Sequence, residues 1–217
     1  FCYTVCLMRH KPIFQDLAHA LQQLDWRQQV GILMILSLAA FAPFIPGAGW
    51  DFLEAYRRET LSGAYGGVTW NPYPVYWLFY PFAILPPTLG FLLWNLFTAV
   101  CFIFAIYQAK SRFLPFALSL PAIWIFFSGQ IEGVLALGLT LSLFSHPFAV
   151  GIGLTLLSLK PQVGAFAILF VLLHRRNWHD LIVPVLVYLL SFAYWGWWIP
   201  TWLTSVLVSN RSGYASM

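Results

Sequence analysis

Three short segments of this chain carry groups able to do chemistry. The first runs from Asp51 to Arg58, with Asp51, Glu54, Arg57 and Arg58 charged and Glu59 next. The second is Gly129-Gln130-Ile131-Glu132, and the third is Lys160-Pro161-Gln162. A carboxylate can take a proton from a hydroxyl as general base, and Lys or Arg can stabilise an anion. Each group also has a plainer role. Asp51 can N-cap a helix beginning at Phe52. Glu54 can pair with Arg57 or Arg58 on a solvated helix face at i+3 or i+4. Lys160 can be a charge snorkelling to a membrane interface, and Gln162 can simply open a helix. Gly129 and Gly133 form a Gly-x-x-x-Gly spacing that suits close helix packing. His174 and His179 lie five apart and do not share a helix face, so residues 174–180 read as a basic anchoring loop. No metal-ligand spacing occurs among Cys and His, and neither a metal nor a cofactor is expected.

The elements that must position these groups are set by composition. Of 217 residues, 60% are hydrophobic and 8% charged, against about 25% charged in a soluble domain. Eleven Trp, 10 Tyr and 20 Phe suit a protein with two membrane interfaces. The expected fold is all-α: a polytopic integral membrane protein with about seven transmembrane helices, an interfacial helix and a re-entrant Pro-rich loop. The net charge of +4 is explained by basic loops, and no nucleic acid partner is expected.

Residues 1–29 read as a cytoplasmic or interfacial segment with Leu17, Leu21 and Leu24 at helical spacing, and Met8 as its start. Residues 30–217 read as the transmembrane domain. The expected crossings are Val30–Pro46, Thr88–Gln108, Phe113–Ser128, Gly133–Phe144, Phe148–Leu159, Gln162–Leu173 and Leu181–Ile199. Asp51–Arg58 reads as the interfacial helix, Ser62–Pro74 as a loop and Tyr76–Leu85 as the re-entrant segment. The later crossings are short and must thin the bilayer locally, tilt little or be shielded by other helices. With the N-terminus cytoplasmic, Arg9, Lys11, Arg27, Lys110, Arg112, Arg175 and Arg176 fall inside, against Arg57, Arg58, Lys160 and Arg211 outside. Seven against four has the sign of the positive-inside rule. The three polar segments then share the outer side, and polar groups at a membrane border are costly unless used. One wet site is the expectation, with Asp51 and Lys160 bordering it.

The order and spacing of several residues then resemble a known family. They are Asp51 with Tyr56, Gly63 and Tyr65; Tyr73-Pro74, Pro81, Leu85-Pro86 and Trp94; Gly129-Gln130; Leu159-Lys160-Pro161-Gln162; and Arg175-Arg176 with Trp178. The pattern resembles the GT-C superfamily of membrane glycosyltransferases, and within it family 87, which includes polyprenol-phosphate-mannose-dependent mannosyltransferases. The resemblance implies transfer of a hexose such as mannose from a polyprenyl-phosphate carrier to a lipid or glycan acceptor. Transfer would proceed with inversion on the non-cytoplasmic side, in a protein surrounded by membrane lipids, such as those of a prokaryotic plasma membrane. Asp51 is then the catalytic base and Glu54 the alternative. Lys160, Gln162, Gln130, Arg57 and Arg58 are the donor phosphate- and sugar-binding groups. Phosphate is already a good leaving group, so a second carboxylic acid is not required, unlike in glycoside hydrolysis.

Two features depart from the family pattern. Glu132 stands where Asn is common, and Glu54 and Glu59 follow the lone acid of the first loop. Family members are also longer, so a truncated or partial member is expected. The rival functions are a non-catalytic membrane subunit or gene fragment, and a lipid or solute transporter.

Overall fold

The computed structural model describes residues 25–63 and 71–212, with side chains as far as residue 207. Among these residues every regular element is a helix. Most of the N-terminal amphipathic stretch, and Tyr65 of the Gly-rich loop, lie outside the described residues.

Helix α1 spans Trp26–Phe41. It starts four residues before the crossing expected at Val30, because Asp25 caps it by accepting a hydrogen bond from the Gln28 N–H at 2.8 Å. A 3-10 turn, Ala42–Phe44, extends it, so that Trp26–Phe44 is one apolar stretch of 19 residues. A π-helix, Trp50–Arg57, and the short α2, Arg58–Ser62, occupy the region expected to be interfacial. Helix α3, Val75–Ala83, is the short segment expected before the second crossing, with Pro81 inside it and Tyr76 and Phe79 buried. Helix α4, Pro87–Gln108, is the longest at 22 residues.

Among the described residues, three stretches are long and apolar enough to cross a membrane: Trp26–Phe44, Pro87–Gln108 and Trp178–Trp195. The last combines a 3-10 turn, Trp178–Leu181, with α10, Ile182–Trp195. The other expected crossings are shorter or broken. The stretch Phe113–Ser128 splits into α5, Phe113–Ala117, and α6, Leu120–Ser128. Ser119 restarts the chain as an N-cap, accepting from the Ala122 N–H at 3.3 Å, and Pro121 is tolerated in the first turn, where N–H groups lack helical partners anyway. Helix α6 then meets α7, Glu132–Ser142, at 114°, a broken span or re-entrant pair. Helices α8, Pro147–Ser158, and α9, Pro161–Arg175, have 12 and 15 residues. At 1.5 Å per residue they reach about 18 and 22 Å, short of the ~30 Å hydrocarbon core. The stretch after residue 200 is also helical, in α11, Ile199–Ser212.

Packing explains how the short helices persist. Helix α8 buries Val150, Gly151, Gly153, Leu154 and Leu157 among its neighbours. A Cβ at Gly153 would lie 2.5 Å from both the Gly138 carbonyl oxygen and Ser142 Oγ on α7. The α7 and α8 backbones are therefore in contact, as small residues allow where no hydrophobic effect drives helices together. An aromatic cluster fills the space beside the π-helix. Tyr56 stacks on Phe79 with ring centroids 4.0 Å apart, and Phe79 lies 4.1 Å from Trp94. The hairpin connectivity of α7, α8 and α9 sends their two sets of turns to opposite ends. Glu132 and Lys160 meet at one end, while Arg175 reaches the Phe144 and Ser145 carbonyls at the other.

Candidate functional site at the Glu132 and Lys160 end

The site begins with a glycine. Gly129 ends α6 at φ +79°, a backbone region that disfavours other residues. A Cβ there would also sit 2.7 Å from Phe52 Cβ and 2.8 Å from the Phe91 ring. The Gly129 carbonyl accepts from Trp94 Nε1 at 3.0 Å. On the other side, the Gly49 N–H donates to the Phe127 carbonyl at 2.7 Å. These contacts pin the start of the π-helix, and with it Asp51, against the turn that carries Gln130 and Glu132. The turn's other flank opens α7 with Glu132, whose carboxylate forms an ion pair with Lys160. The three segments singled out in the sequence thus converge.

The convergence differs in detail from the expectation. Asp51 is half-buried in the first turn of the π-helix, but it does not cap it. The helix starts one residue before Asp51, at Trp50, and Gly49 holds the cap position at φ +86° with no side-chain cap bond. The capping role for Asp51 is therefore ruled out. Glu54 and Arg58 are exposed. Arg57 turns away toward α3, donating from Nη2 to the Leu85 carbonyl at 3.3 Å, with its Nε buried and unpartnered. Gln130 is half-buried, its N–H donating to the Ile125 carbonyl at 3.1 Å. Gln162 is exposed in the first turn of α9. The glycine pair packs tightly, but on different partners: Gly129 on Phe52, and Gly133 on Thr98 of α4.

Four groups not proposed as site residues from the sequence complete the arrangement. Glu132 spends Oε1 on Lys160, while its Oε2 is buried without a partner. Asn71, 3% exposed, donates from Nδ2 to Tyr56 Oη at 2.8 Å, and its Oδ1 is also buried without a partner. Tyr56 is itself buried, and burial, followed by the nearby Glu132, Asp51 and Glu59 carboxylates, pushes its phenol well above the ordinary tyrosine range. It remains a neutral O–H donor at all physiological pH. Glu59, 2% exposed, accepts from Tyr76 Oη at 2.5 Å. A sequence signal existed for Asn71, a polar residue before Pro72 inside a run of 50 residues without charge. For Glu132 the signal was the mirror image of Lys160, two opposite charges at successive turns on one side.

Beside this cluster lies a cleft of about 390 Å³, open between α9, α10 and α11. Pro72 and Pro161, the neighbours of Asn71 and Lys160, line one end of it, and Ile168, Leu172, Tyr188 and Trp198 line its length. The cleft is apolar and Asp51 does not line it, so it is not the single wet cavity expected between Asp51 and Lys160. Among the described residues no cluster of His, Cys, Asp and Glu could hold a metal ion.

The sequence pattern of glycosyltransferase family 87 matches residues 69–216. No curated protein and no solved structure matches the chain. The matched stretch holds Asn71, Gln130, Glu132, Lys160 and Gln162, while Asp51, Glu54, Arg57 and Arg58 precede it. With more than half of its length matched, this all-helical membrane chain belongs to glycosyltransferase family 87.

Proposed function

We propose that the chain transfers a mannose-like hexose from a polyprenyl-phosphate carrier to a lipid or glycan acceptor, with inversion, on the non-cytoplasmic side. The observation that carries this reading is the joining of Asp51, Gln130 and Lys160 segments around Gly129, next to an apolar cleft that starts at Pro72 and Pro161. A lipid-phosphate donor needs both halves: a cation for the phosphate and an apolar channel for its tail.

In this mechanism Lys160 binds the donor phosphate. Its ammonium has three N–H donors, and the bond to Glu132 leaves two for phosphate oxygens. Charge builds on that phosphate as the glycosidic bond breaks, so the cation stabilises the transition state. Asp51 accepts the proton of the acceptor hydroxyl as its oxygen attacks the anomeric carbon from the opposite face. Attack opposite the leaving phosphate inverts the configuration. Gln130 and Gln162 hydrogen-bond the donor. Arg57 and Arg58 supply further positive potential, Arg57 from its place against the Leu85 carbonyl.

The experiment is sugar transfer from a radiolabelled polyprenyl-phosphate mannose by the Asp51→Asn variant. The amide keeps the size of the carboxylate but cannot take the proton, so turnover should fall by about 10²–10⁴-fold with donor binding retained. Undiminished turnover would remove Asp51 as base and leave Glu54 as the acid to examine.

A further inference from the structure

Among the buried polar atoms without a partner, Glu132 Oε2 and Asn71 Oδ1 are two acceptors on side chains that meet at Tyr56, apart from Asn95 Oδ1 and Thr98 Oγ1 on α4. Buried polar atoms are nearly always partnered, and an orphan costs the desolvation of the group. Here the two orphans share a construction. Glu132 is fixed at Oε1 by Lys160 and open at Oε2. Asn71 is fixed at Nδ2 by Tyr56 Oη, 2.8 Å away, and open at Oδ1. Each side chain is therefore held by the protein through one atom and offers the other. Tyr56 ties the pair together: it is bonded to Asn71, and Glu132 is the carboxylate that acts most strongly on its phenol. Both open oxygens are acceptors, so the complementary ligand must present donors. The adjacent cleft reaches Pro72 and Pro161, the chain neighbours of Asn71 and Lys160, and Lys160, the cation assigned to the donor phosphate, is the group that holds Glu132.

We infer that Glu132 Oε2 and Asn71 Oδ1, braced by Lys160 and Tyr56, form a subsite that accepts hydrogen bonds from two hydroxyls of the donor hexose and so sets which sugar is bound. This inference rests on the sugar-transfer reading above and adds the residues that select the sugar. A carboxylate accepting from a hydroxyl makes a charge-assisted bond, stronger than a neutral one. A site built to bond a hydroxyl rejects an analogue lacking it, because its own buried acceptor is then left bare. Glu132 has two tasks in this arrangement: it orients the phosphate-binding Lys160 and it reads the sugar.

The test is a binding experiment, so that it stands apart from turnover. The full chain in detergent is titrated with mannose 1-phosphate and with each of its monodeoxy analogues, for the wild type and for Glu132→Met and Asn71→Leu. These variants keep side-chain volume and remove the acceptors, and the ratio of parent to deoxy affinity cancels any general loss of phosphate binding. Wild type should bind at least one deoxy analogue about tenfold or more weakly than the parent. That penalty should vanish in the variant lacking the matching acceptor. Thermal unfolding of each variant confirms that the folded protein is what is titrated, and Tyr56→Phe, which frees the Asn71 amide, provides a third that should blunt the same discrimination. Equal binding of every analogue by wild type, or a penalty that persists in both Glu132→Met and Asn71→Leu, overturns the subsite while leaving sugar transfer standing. Failure of wild type to bind mannose 1-phosphate at all also overturns it, and the Asp51→Asn transfer assay then decides the wider reading by itself.

Discussion

At one end of the bundle Arg175 and Asp180 form an ion pair in which nearly every polar atom has a partner. Arg175 donates from Nε to Asp180 Oδ2 at 2.7 Å, from Nη1 to the Phe144 carbonyl at 2.7 Å and from Nη2 to the Ser145 carbonyl at 3.0 Å. The second Asp180 oxygen accepts from Asn177 Nδ2 at 3.2 Å. At the opposite end the Lys160 and Glu132 pair is made through one carboxylate oxygen only, and the other is buried and bare. The first pair is a clamp: it fastens the α9 C-terminus to the turn between α7 and α8 and to the start of the last crossing. The second is left half-finished beside a cleft. A buried ion pair is weak evidence of stabilisation by itself, so the difference in satisfaction carries more information than the presence of the charges. We read the saturated pair as structural and the half-finished pair as part of the proposed donor site.

Breaking the clamp should have the largest effect on folding. Arg175→Ala strands the Asp180 carboxylate, only 1% exposed, and removal of one partner of a buried pair costs about 3–5 kcal/mol. Thermal or denaturant unfolding in detergent should show that loss, with sugar transfer per folded molecule little changed. A stability loss below about 1 kcal/mol, the range of an exposed pair, would mean that Arg175 is not a clamp. Lys160→Ala should invert the pattern. Its partner Glu132 is 24% exposed, so the Oε1 freed by the substitution can be hydrated although Oε2 stays buried, and the stability change should stay near about 1 kcal/mol. Transfer should fall by about 10²-fold or more, as when a preorganised charge stabiliser is removed, and donor affinity should fall with it. Equal behaviour of the two variants would erase the distinction between the ends.

The sequence made one side of this comparison easier to see than the other. Membrane class, the helical fold and the span Thr88–Gln108 follow from hydropathy over long windows, and α4 differs from that expectation by one residue at its start. Asp51, Gln130 and Lys160 stood out because charge and amide are rare in an apolar chain. What could not be read were facts that depend on distant partners. Nothing local separates a 12-residue apolar crossing from a 12-residue helix buried by its neighbours, as α8 is. Nothing local tells that Gly49 rather than Asp51 would hold the cap position. The Arg175 loop read as a plain anchor because its two carbonyl partners lie about 30 residues earlier in the chain. Glu132 read as a departure from a family pattern because its partner Lys160 lies 28 residues away. Asn71 lay in a loop whose composition signals a turn, and its amide within a long uncharged run was the slight hint of more.

A smaller effect should come from the middle of the bundle, between the ends. Gly153→Ala drives a methyl to 2.5 Å from the Gly138 carbonyl oxygen and Ser142 Oγ. Overpacking of this kind costs about 1–3 kcal/mol. The α7 and α8 pair carries Glu132 at one end and the Arg175 anchor at the other, so both stability and transfer should drop together. A variant as stable as wild type would show that the pair can separate without cost.

The smallest effect is a pH dependence that only the Glu132 end should show. Tyr56 titrates far above the ordinary tyrosine value in the folded protein, through burial first and then through the Glu132, Asp51 and Glu59 carboxylates. In the unfolded chain its pKa is about 10. Below that value the phenol is protonated in both states and contributes nothing to the pH dependence. Above it the unfolded state loses the proton while the folded state keeps it. The unfolded state then binds fewer protons, and stability falls as pH rises, by at most about 1.4 kcal/mol per pH unit for this one group. Tyr56→Phe removes the titration and leaves the ring stack on Phe79. The variant is less stable near neutrality through the lost Asn71 bond, but its unfolding midpoint should fall less steeply than that of wild type between about pH 10 and 11. Arg175→Ala, which touches the other end, should run parallel to wild type over the same range. Parallel curves for Tyr56→Phe and wild type would mean that the phenol is hydrated or ionisable in the folded state, and the buried acceptor pair around it would lose its central brace.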